Sequence, residues 1–459
     1  MSQRPLLVVE SPSKARTIEQ YLGGEFEVIA SVGHIKDLPS NELGIDIEND
    51  FKINLTPLSD RKKFIDEIKS KSIQAPRVLI ATDPDREGEA IAAHIASETP
   101  PEKTERVEFT EITKAGISEA MNQIRKIDKN LVDAQIARRI IDRLVGYKVS
   151  PVLWATLKKN MNFVSGSLSA GRVQSAAVKL LIDRERLRAR FINTTYFDIL
   201  AELEDKKEKI KFDALLISYN EKTIASSRNF DSETGKLKST DVILLDETQV
   251  SKIFNDLNDN HWEVLNVKEK PRTSNPRPPF TTSTLQQEAA RKLRMSARQT
   301  MRNAQSLYEN GFITYMRTDS THLSSEAVEG SRKIIENLYG KKYLPDNPNS
   351  YANKVRNAQE AHEAIRPAHR EFRTINDVQS ALGKDCAKLY DLIWKRTIAS
   401  QMLPAKLKQT AINIKNNNAI FRANGQVILF PGYMKIYVEG RDSPDADLAN
   451  NERVLPNLK

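Results

Sequence analysis

The stretch Arg77-Val78-Leu79-Ile80-Ala81-Thr82-Asp83-Pro84-Asp85-Arg86-Glu87 joins an apolar run to three closely spaced carboxylates. Residues 77–82 predict a buried β-strand, and residues 88–98 predict a helix directly after it. An earlier apolar run at residues 6–9 is followed by a helix that Pro12 opens, since proline fits the first turn of a helix. Strands that alternate with helices in this way predict a parallel sheet wound with helices.

The carboxylates beyond the strand predict a cation site. Asp83, Asp85 and Glu87 alternate, so in extended geometry their side chains project to one side, where Mg²⁺ is the expected cation. Glu10 ends the first strand, and the carboxyl ends of parallel strands gather reactive groups at one edge. Four like charges cannot all ionise cheaply, so either a cation neutralises them or Glu10 keeps its proton as a general acid. Lys14, one helical turn on, faces the same place and is suited to contact a phosphate.

These acidic and basic residues also have ordinary structural interpretations. Acids near a helix start are favoured by the helix dipole, without any metal. Lys14 by itself is typical of a surface helix.

A second segment, at residues 312–317 (Phe-Ile-Thr-Tyr-Met-Arg), predicts an extended strand on which Tyr315 and Arg317 share a face. A phenol with a pKa of about 10 attacks poorly at neutral pH, so a nearby guanidinium would favour the phenolate and clamp a phosphate. The alternative is that Tyr315 packs in a β core. Residues 360–367 add His362 and Arg366, which can contact a phosphate.

Basic helices form the third element. Arg139 and Arg143 lie one turn apart on a helix predicted at residues 133–147, with Tyr147 and Trp154 nearby, a mixture suited to phosphates and bases. The alternative is a solvated face on which Arg143 pairs with Asp142 or a neighbour. The small, polar residues 167–175 precede a helix at 175–190 and offer amides to an anion.

Composition limits the class of protein. The 459 residues carry a formal charge of +9 and a pI near 9.2, which favours a polyanionic partner. Cys386 is the single cysteine, so internal disulfides and thiolate zinc sites are excluded. No run has the apolar length of a membrane span or the form of a signal peptide, and we expect a cytoplasmic protein.

The middle and the end of the chain predict a β domain interrupted by helices. Prolines make residues 270–279 a crossing rather than a helix or a central strand. Ser283 and Ser296 have capping-box spacing and are expected to start two helices, the second ending at Gly311. Short alternating runs predict strands at residues 210–217, 241–245, 410–414, 419–423 and 434–438, which suggests one β domain that the chain leaves and re-enters.

Seven motifs, in order along nearly the whole chain, resemble the successive signatures of the bacterial type IA DNA topoisomerase I family. They are Val-Glu-Ser-Pro-Ser-Lys-Ala (9–15), Ser-Val-Gly-His-Ile (31–35), Ala-Thr-Asp-Pro-Asp-Arg-Glu-Gly-Glu (81–89), Ala-Arg-Arg-Ile-Ile-Asp-Arg (137–143), Leu-Ser-Ala-Gly-Arg-Val-Gln-Ser (168–175), Ile-Thr-Tyr-Met-Arg-Thr-Asp-Ser (313–320) and Ala-His-Glu-Ala-Ile-Arg-Pro (361–367).

The resemblance implies a multidomain α/β and α+β protein, a toroid of four domains. The expected parts are a Toprim metal-binding domain (1–130), the first part of a helical DNA-binding domain (131–193), a β hinge domain (194–272 and 404–459) and a helical domain with the catalytic tyrosine (273–403).

It also implies a mechanism. The tyrosine attacks a single DNA strand and becomes linked to the 5′ phosphate, another strand passes through the gap, and the 3′ hydroxyl reverses the reaction. Negative supercoils are relaxed without ATP, because the phosphotyrosine conserves the bond energy.

The resemblance assigns roles by position. The catalytic residues would be Tyr315, Arg317, Glu10, Lys14 and His362. The Mg²⁺ ligands would be Glu10, Asp83, Asp85 and Glu87. The DNA contacts would be His34, Arg138, Arg139, Asp142, Arg143, Tyr147, Trp154, Ser169, Ala170, Gly171, Arg172, Val173, Gln174 and Arg317.

The family's chains continue past the position of Lys459 with a helical segment that completes the strand-binding groove, often followed by zinc ribbons. We therefore expect weak relaxation from this chain. We expect a monomer without zinc or membrane contact that acts on single-stranded and negatively supercoiled DNA in the nucleoid. Another Toprim enzyme, such as a primase or nuclease, and a silent DNA-binding fragment are the alternatives.

Overall fold

The computed structural model describes residues 4–157, 168–257, 261–351, 363–438 and 455–456. The chain forms two compact units. The first comprises Met1–Arg172, Pro276–Leu403 and Ile436–Gly440, and the second comprises Val173–Asn275, Pro404–Lys435 and Arg441–Lys459. The finer division into four domains stays a prediction.

The strands of the described residues are β1 (Leu6–Val9), β2 (Glu27–Ala30), β3 (Lys36–Asp37), β4 (Ile45–Asp46), β5 (Lys52–Ile53), β6 (Thr56–Pro57), β7 (Val78–Ala81), β8 (Thr104–Arg106), β9 (Leu200–Glu204), β10 (Lys211–Tyr219), β11 (Lys222–Ile224), β12 (Val242–Ile243), β13 (Glu263–Ser274), β14 (Ala405–Asn416) and β15 (Ala419–Phe430). The helices are α1 (Pro12–Leu22), α2 (Lys62–Gln74), α3 (Arg86–Ala96), α4 (Lys114–Met121), α5 (Lys129–Leu157), α6 (Arg172–Arg190), α7 (Glu247–Asp256), α8 (Thr282–Leu293), α9 (Ala297–Glu309), α10 (Ser325–Tyr339), α11 (Ile375–Leu382) and α12 (Lys384–Ser400).

The first unit contains a four-stranded sheet in the order β2-β1-β7-β8, with all neighbours parallel. Every residue of β1 and β7 is buried, because helices cover the sheet and strands enclosed on both faces read as continuous apolar runs. Val9 pairs with Ala81, so Glu10 and Asp83 leave the same edge of the sheet. The predicted parallel sheet and its acidic edge are confirmed.

Local capping sets where the first helices begin. The Ser11 side chain accepts from the Lys14 amide and Pro12 takes the first turn of α1, as the sequence predicts. Asp85 caps α3, accepting from the Gly88 amide, so the helix begins at Arg86. The extended geometry predicted for Asp83, Asp85 and Glu87 is therefore wrong, because Glu87 already lies in a helical turn.

The helical part of the first unit differs from prediction in two places. Thr281, not Ser283, caps α8, whereas Ser296 caps α9 as expected. The segment around Tyr315 is not a strand: Ile313 alone forms a bridge, with Pro367. Its backbone partners lie in separate loops: the Tyr315 amide donates to Thr110 O at 3.0 Å, and the Thr314 amide donates to Arg366 O at 3.0 Å.

The second unit contains a seven-stranded sheet, in which β9 pairs with β10 off the path β12-β11-β10-β15-β14-β13. Strands before and after the helical insert thus share one sheet, as predicted. The prediction of a crossing from Lys270 is wrong up to Ser274, because β13 is an edge strand and tolerates Pro271. The strand predicted at 434–438 is also wrong, since Gly432–Lys435 forms a 3₁₀ turn.

Among the described residues, no helix combines the length and the apolar character that crossing a lipid bilayer would require. Cys386 is buried and unpaired.

Candidate active site

The Tyr315 hydroxyl reaches the acidic edge of the sheet in the first unit. Its ring is 2% exposed, and its hydroxyl donates to Asp85 Oδ2 at 2.5 Å. Arg317 Nη1 lies 3.3 Å from the same oxygen, while the Tyr308 ring packs edge-on with its centroid 5.1 Å away. The structure thus brings together residues 230 positions apart, and the tyrosine is buried without being enclosed by apolar groups alone.

The phenol of Tyr315 is held in its protonated form. Burial raises its pKa, and the nearby carboxylates of Asp83 and Asp85 raise it further. Arg317 acts in the opposite direction but is outweighed. Arg317 therefore favours the phenolate, as predicted, but burial and the two carboxylates have the larger effect and keep the phenol protonated.

Glu10 also keeps its proton at neutral pH. Its Oε1 accepts from the Asp83 amide at 2.7 Å. Burial, and then the charge of Asp83, raise its pKa to about 8. This is one of the two outcomes that the sequence predicted for four neighbouring carboxylates, and it leaves Glu10 able to donate a proton.

Lys14 forms a buried ion pair with Asp83 and is not a surface lysine. Lys14 is 1% exposed and Asp83 is 5% exposed. Burial lowers the pKa of the amine, but Asp83, Tyr308 and Glu10 outweigh it and the net shift is upward. Lys14 therefore remains charged, with its Nζ 5.3 Å from the centroid of the Tyr308 ring.

Glu87 turns away from the other acids toward helix α5. Its Oε1 lies 2.6 Å from His34 Nε2, and Gln135 donates to its Oε2 at 3.3 Å. The hydrogen bond from His34 lowers the pKa of Glu87 to about 2. His94 lies beside His34, and burial lowers the pKa of His94 to about 4.

The four predicted metal ligands line one cavity of about 400 Å³ together with Met301, Arg302 and Arg317. Among the described residues, however, no three side chains of the types that ligate metals converge on one point. Each acid after the strand already bonds to a different partner. Carboxylate oxygens are nevertheless the donors that Mg²⁺ prefers, so the residues fit this cation in chemistry, and ligation would require their side chains to turn.

Helix α5 packs its arginines against the end of β3 and the loop that follows it. Arg139 holds Asp37 through two hydrogen bonds of 2.8 and 2.6 Å. Arg143 donates to Leu38 O at 3.3 Å and lies over the Tyr147 ring, 5.1 Å from its centroid. Pairing of Arg143 with Asp142, one form of the predicted alternative, does not occur; Arg143 Nη1 instead donates to the hydroxyl of Tyr147, a neighbour on the same helix, at 3.2 Å.

Asp142 instead pairs with Arg172 at the start of α6, with distances of 2.8 and 3.0 Å. Arg138 is exposed and lines a second cavity, of about 370 Å³, with His34 and Glu87. This cavity joins the predicted DNA contacts on α5 to the acidic edge through Glu87.

The predicted anion site before α6 is partly occupied by protein groups. The Ala170 amide donates to Ser150 Oγ at 3.0 Å, and Trp154 Nε1 donates to Leu168 O at 2.5 Å. The other predicted contacts in this segment are Ser169, Val173 and Gln174, which are exposed, and Gly171, which is half-buried. His362 lies outside the described residues.

Comparison with known proteins identifies the family of this chain. Residues 126–459 match the family model described as DNA topoisomerase, and residues 5–112 match the Toprim domain. The chain belongs to the type IA DNA topoisomerases.

Two named relatives support this assignment. DNA topoisomerase 1 of Synechococcus elongatus is 47% identical over 99% of the chain and 52% of that protein. DNA topoisomerase 1 of Streptomyces coelicolor is 44% identical over 99% of the chain and 49% of that protein. The chain spans about half the length of the curated relatives that it matches. Full-length topoisomerase I from Thermotoga maritima has a similar structure, with a TM-score of 0.76 and 37% identity, covering 96% of this chain and 69% of that one.

The sequence did not reveal one buried ion network of this topoisomerase chain. Arg366 Nη1 donates to Glu111 Oε2 at 2.8 Å, and its Nε donates to Glu363 Oε1 at 2.7 Å. The Thr314 amide, next to Tyr315, donates to Arg366 O at 3.0 Å. The prediction that Arg366 contacts a phosphate is wrong here, because two carboxylates occupy its guanidinium. The only available signal was that an arginine and a glutamate lie three positions apart.

Proposed function

We propose that this chain cleaves and rejoins one strand of DNA through Tyr315. The phenolic oxygen attacks a phosphodiester of single-stranded DNA, a bond forms to the 5′ phosphate, and the 3′ oxygen leaves as a hydroxyl. A second strand passes through the gap, and the 3′ hydroxyl then displaces the tyrosine. The observation that carries this proposal is the hydrogen bond of 2.5 Å from Tyr315 to Asp85 at an acidic cavity.

Proton movement follows from the side chains around the tyrosine. Because burial and two carboxylates raise the pKa of Tyr315, its proton must leave as the attack proceeds, and Asp85 already accepts it in a hydrogen bond. Glu10, with a pKa of about 8, carries the proton that the departing 3′ oxygen needs. Arg317, and Lys14 beside Asp83, supply the positive charge for the phosphate, and His362 is proposed to join them.

The cofactor of this proposal is Mg²⁺, which Asp83, Asp85 and Glu87 would hold after their side chains turn; Glu10, the fourth predicted ligand, would bind the ion only after it has given up its proton. When bound, it would neutralise these acids and stabilise the negative charge of the phosphate.

Relaxation of supercoiled DNA is likewise proposed for this chain, in keeping with relatives that are named DNA topoisomerase 1. The substrate is DNA in single-stranded or negatively supercoiled form, and the setting is the nucleoid of the cytoplasm. The protein acts as a monomer. The DNA contacts predicted on α5 and before α6 belong to the same proposal.

The test is a covalent adduct. A single-stranded oligonucleotide labelled at its 3′ end is incubated with the chain and Mg²⁺, and the mixture is denatured. The labelled fragment should migrate with the protein, should be lost in Tyr315→Phe, and should persist in Tyr339→Phe, a matched change in the same unit.

Each other outcome points elsewhere. Cleavage that survives Tyr315→Phe would mean another Toprim enzyme that does not use this phenol. Salt-sensitive binding without cleavage would mean a silent DNA-binding fragment. An adduct lost in Tyr308→Phe but retained in Tyr315→Phe would mean that Tyr308, not Tyr315, is the nucleophile.

A further inference from the structure

One face of the sheet in the second unit is polar, and the strand register fixes its members. Asn266 pairs with Asn413, which pairs with Arg422. Two residues further along β13, Lys268 pairs with Ala411, which pairs with Asn424. Two residues further still, Lys270 pairs with Gln409. Because directly paired residues point to the same side, these side chains form one surface, called here the polar face: Asn266, Lys268, Lys270, Asn413, Arg422 and Asn424.

The opposite face of the same strands forms the core of the second unit. Ile412, Ile414 and Phe421 are at most 3% exposed and pack in one cluster with Ile253 of α7. The apolar residues that hold the sheet together therefore alternate with those of the polar face. The side chains of the polar face do not take part in the packing of this core, so we expect substitutions among them to leave the core intact.

The polar face is concave and cationic. A cavity of about 470 Å³ lies on it, and its lining is completed by Arg228, Gln409, Thr410, Ala411 and Gly425. The described residues that line this cavity include four cations and no acid. Lys268 and Lys270 are exposed and make no ion pair with any described residue.

Two acids of the described strands lie close to the polar face but do not line its cavity. Glu269 alternates to the other side of β13, where Lys408 lies 2.8 Å from it. Asp213 lies on β10, two residues before Leu215, the register partner of Arg422, and so stands on the same side of the sheet but outside the cavity lining. The cationic lining is thus bounded by acids and not interspersed with them.

This chemistry fits the phosphate backbone of a nucleic acid. Ammonium and guanidinium groups bind phosphate oxygens, and side-chain amides donate to phosphates and sugars. The described residues of the lining include no aromatic ring on which a base could stack, so contacts to the backbone are favoured over contacts to bases.

We propose that the polar face is a second DNA-binding surface, which holds the phosphodiester backbone of a strand without regard to its sequence. The proposal goes beyond strand cleavage, because this binding needs no chemistry at Tyr315. It rests on the proposed function only for the choice of DNA as the polyanion.

The first experiment maps binding locally. The full chain is treated with an amine-acetylating reagent, with and without a saturating oligothymidine, and modification is read by mass spectrometry. Lys268 and Lys270 should be protected several-fold, whereas Lys206, Lys207 and Lys252, exposed lysines of the same unit, should react at unchanged rates. Equal reactivity of all five with and without the oligonucleotide would overturn the proposal.

The second experiment counts phosphate contacts. The triple variant Lys268→Gln, Lys270→Gln, Arg422→Gln should bind the oligothymidine about tenfold more weakly at low salt, and the slope of log K against log salt should fall by about 2. The control triple Lys206→Gln, Lys207→Gln, Lys252→Gln removes the same charge. If both triples change affinity and slope equally, only net charge matters and the polar face is not a site.

Two further measurements separate this proposal from the proposed function. The pair Lys268→Arg, Lys270→Arg should keep the wild-type slope, which excludes a folding defect as the cause. Adduct formation at Tyr315 is assayed in the same proteins: its absence in the wild type would defeat the cleavage proposal, while protection of the two lysines would still support the polar face. Loss of protection with the adduct retained would defeat only the polar face.

Discussion

Replacing Lys14 by methionine tests whether the buried ion pair with Asp83 supports the acidic edge. Both residues are nearly inaccessible, at 1% and 5% exposure, so the substitution leaves a carboxylate buried without its cation. Removing one partner of such a pair costs about 3–5 kcal/mol, since the remaining charge has lost both water and its counter-charge. Methionine is close to lysine in volume, so little of this cost comes from a cavity.

The matched double variant, Lys14→Met with Asp83→Asn, removes both charges. We expect it to be more stable than Lys14→Met alone by about 2 kcal/mol or more, because a buried pair can be replaced by neutral groups at little cost. The two changes should therefore be strongly non-additive, as expected for residues in contact.

The assay is urea unfolding at pH 7 with a chelator that removes divalent cations. The two units are fitted as separate transitions, because a chain with two units need not unfold in one step. In the first unit, Lys14→Met should lower the midpoint by about 1–2 M. An unchanged midpoint, or a double variant as unstable as the two single changes added together, would refute the reasoning.

Three other predictions concern the same unit. In the folded protein the Glu10 carboxyl has a pKa of about 8, so between about pH 4.5 and 8 it keeps a proton that the unfolded chain releases. The stability of the wild type should therefore fall across this window, by at most about 5 kcal/mol. Glu10→Gln should remove this fall. Urea midpoints at both ends of the window check this, and parallel pH curves for the two proteins would contradict it. Gly88→Ala should abolish the covalent adduct, because its Cβ would stand 2.1 Å from Asp83 O, whereas Gly146→Ala, with nothing within 4 Å, should not. Arg366→Met should cost about 3–5 kcal/mol in thermal or urea unfolding, because it leaves the buried Glu111 and the half-buried Glu363 without their cation. A cost equal to that of Arg366→Lys would argue that charge is not the cause.

Local physics made part of the fold predictable. Strands β1 and β7 are short apolar runs. Helix α1 begins where the Ser11 side chain accepts from a first-turn amide and where Pro12 has no amide hydrogen that needs a partner. Such signals depend on neighbours along the chain and survive in any surroundings. The sequence also indicated that Glu10 and Asp83 meet, since parallel strands end at a common edge.

The segment around Tyr315 was not predictable in the same way. Its amides bond to Thr110 O and to the loop of Arg366, and neither partner is close in sequence. A strand was expected because the residues themselves favour one, but no neighbouring strand is available and Gly311 turns the chain with a φ of +72°. The formation of β13 likewise depended on the tertiary structure: the strand lies at the edge of its sheet, where a proline that would break a central strand is tolerated.

The sequence by itself determined the family motifs, the buried parallel strands, the helix starts at Pro12 and Ala297 and the presence of a tyrosine and four acids suited to one chemistry. The tertiary structure alone decided which charge meets which: Lys14 with Asp83, Asp142 with Arg172, Arg366 with Glu111, and the Tyr315 hydroxyl with Asp85. The physical reason is range. Capping and strand formation act within a few residues, whereas the pKa and pairing of a buried group depend on side chains that only the folded chain brings near it.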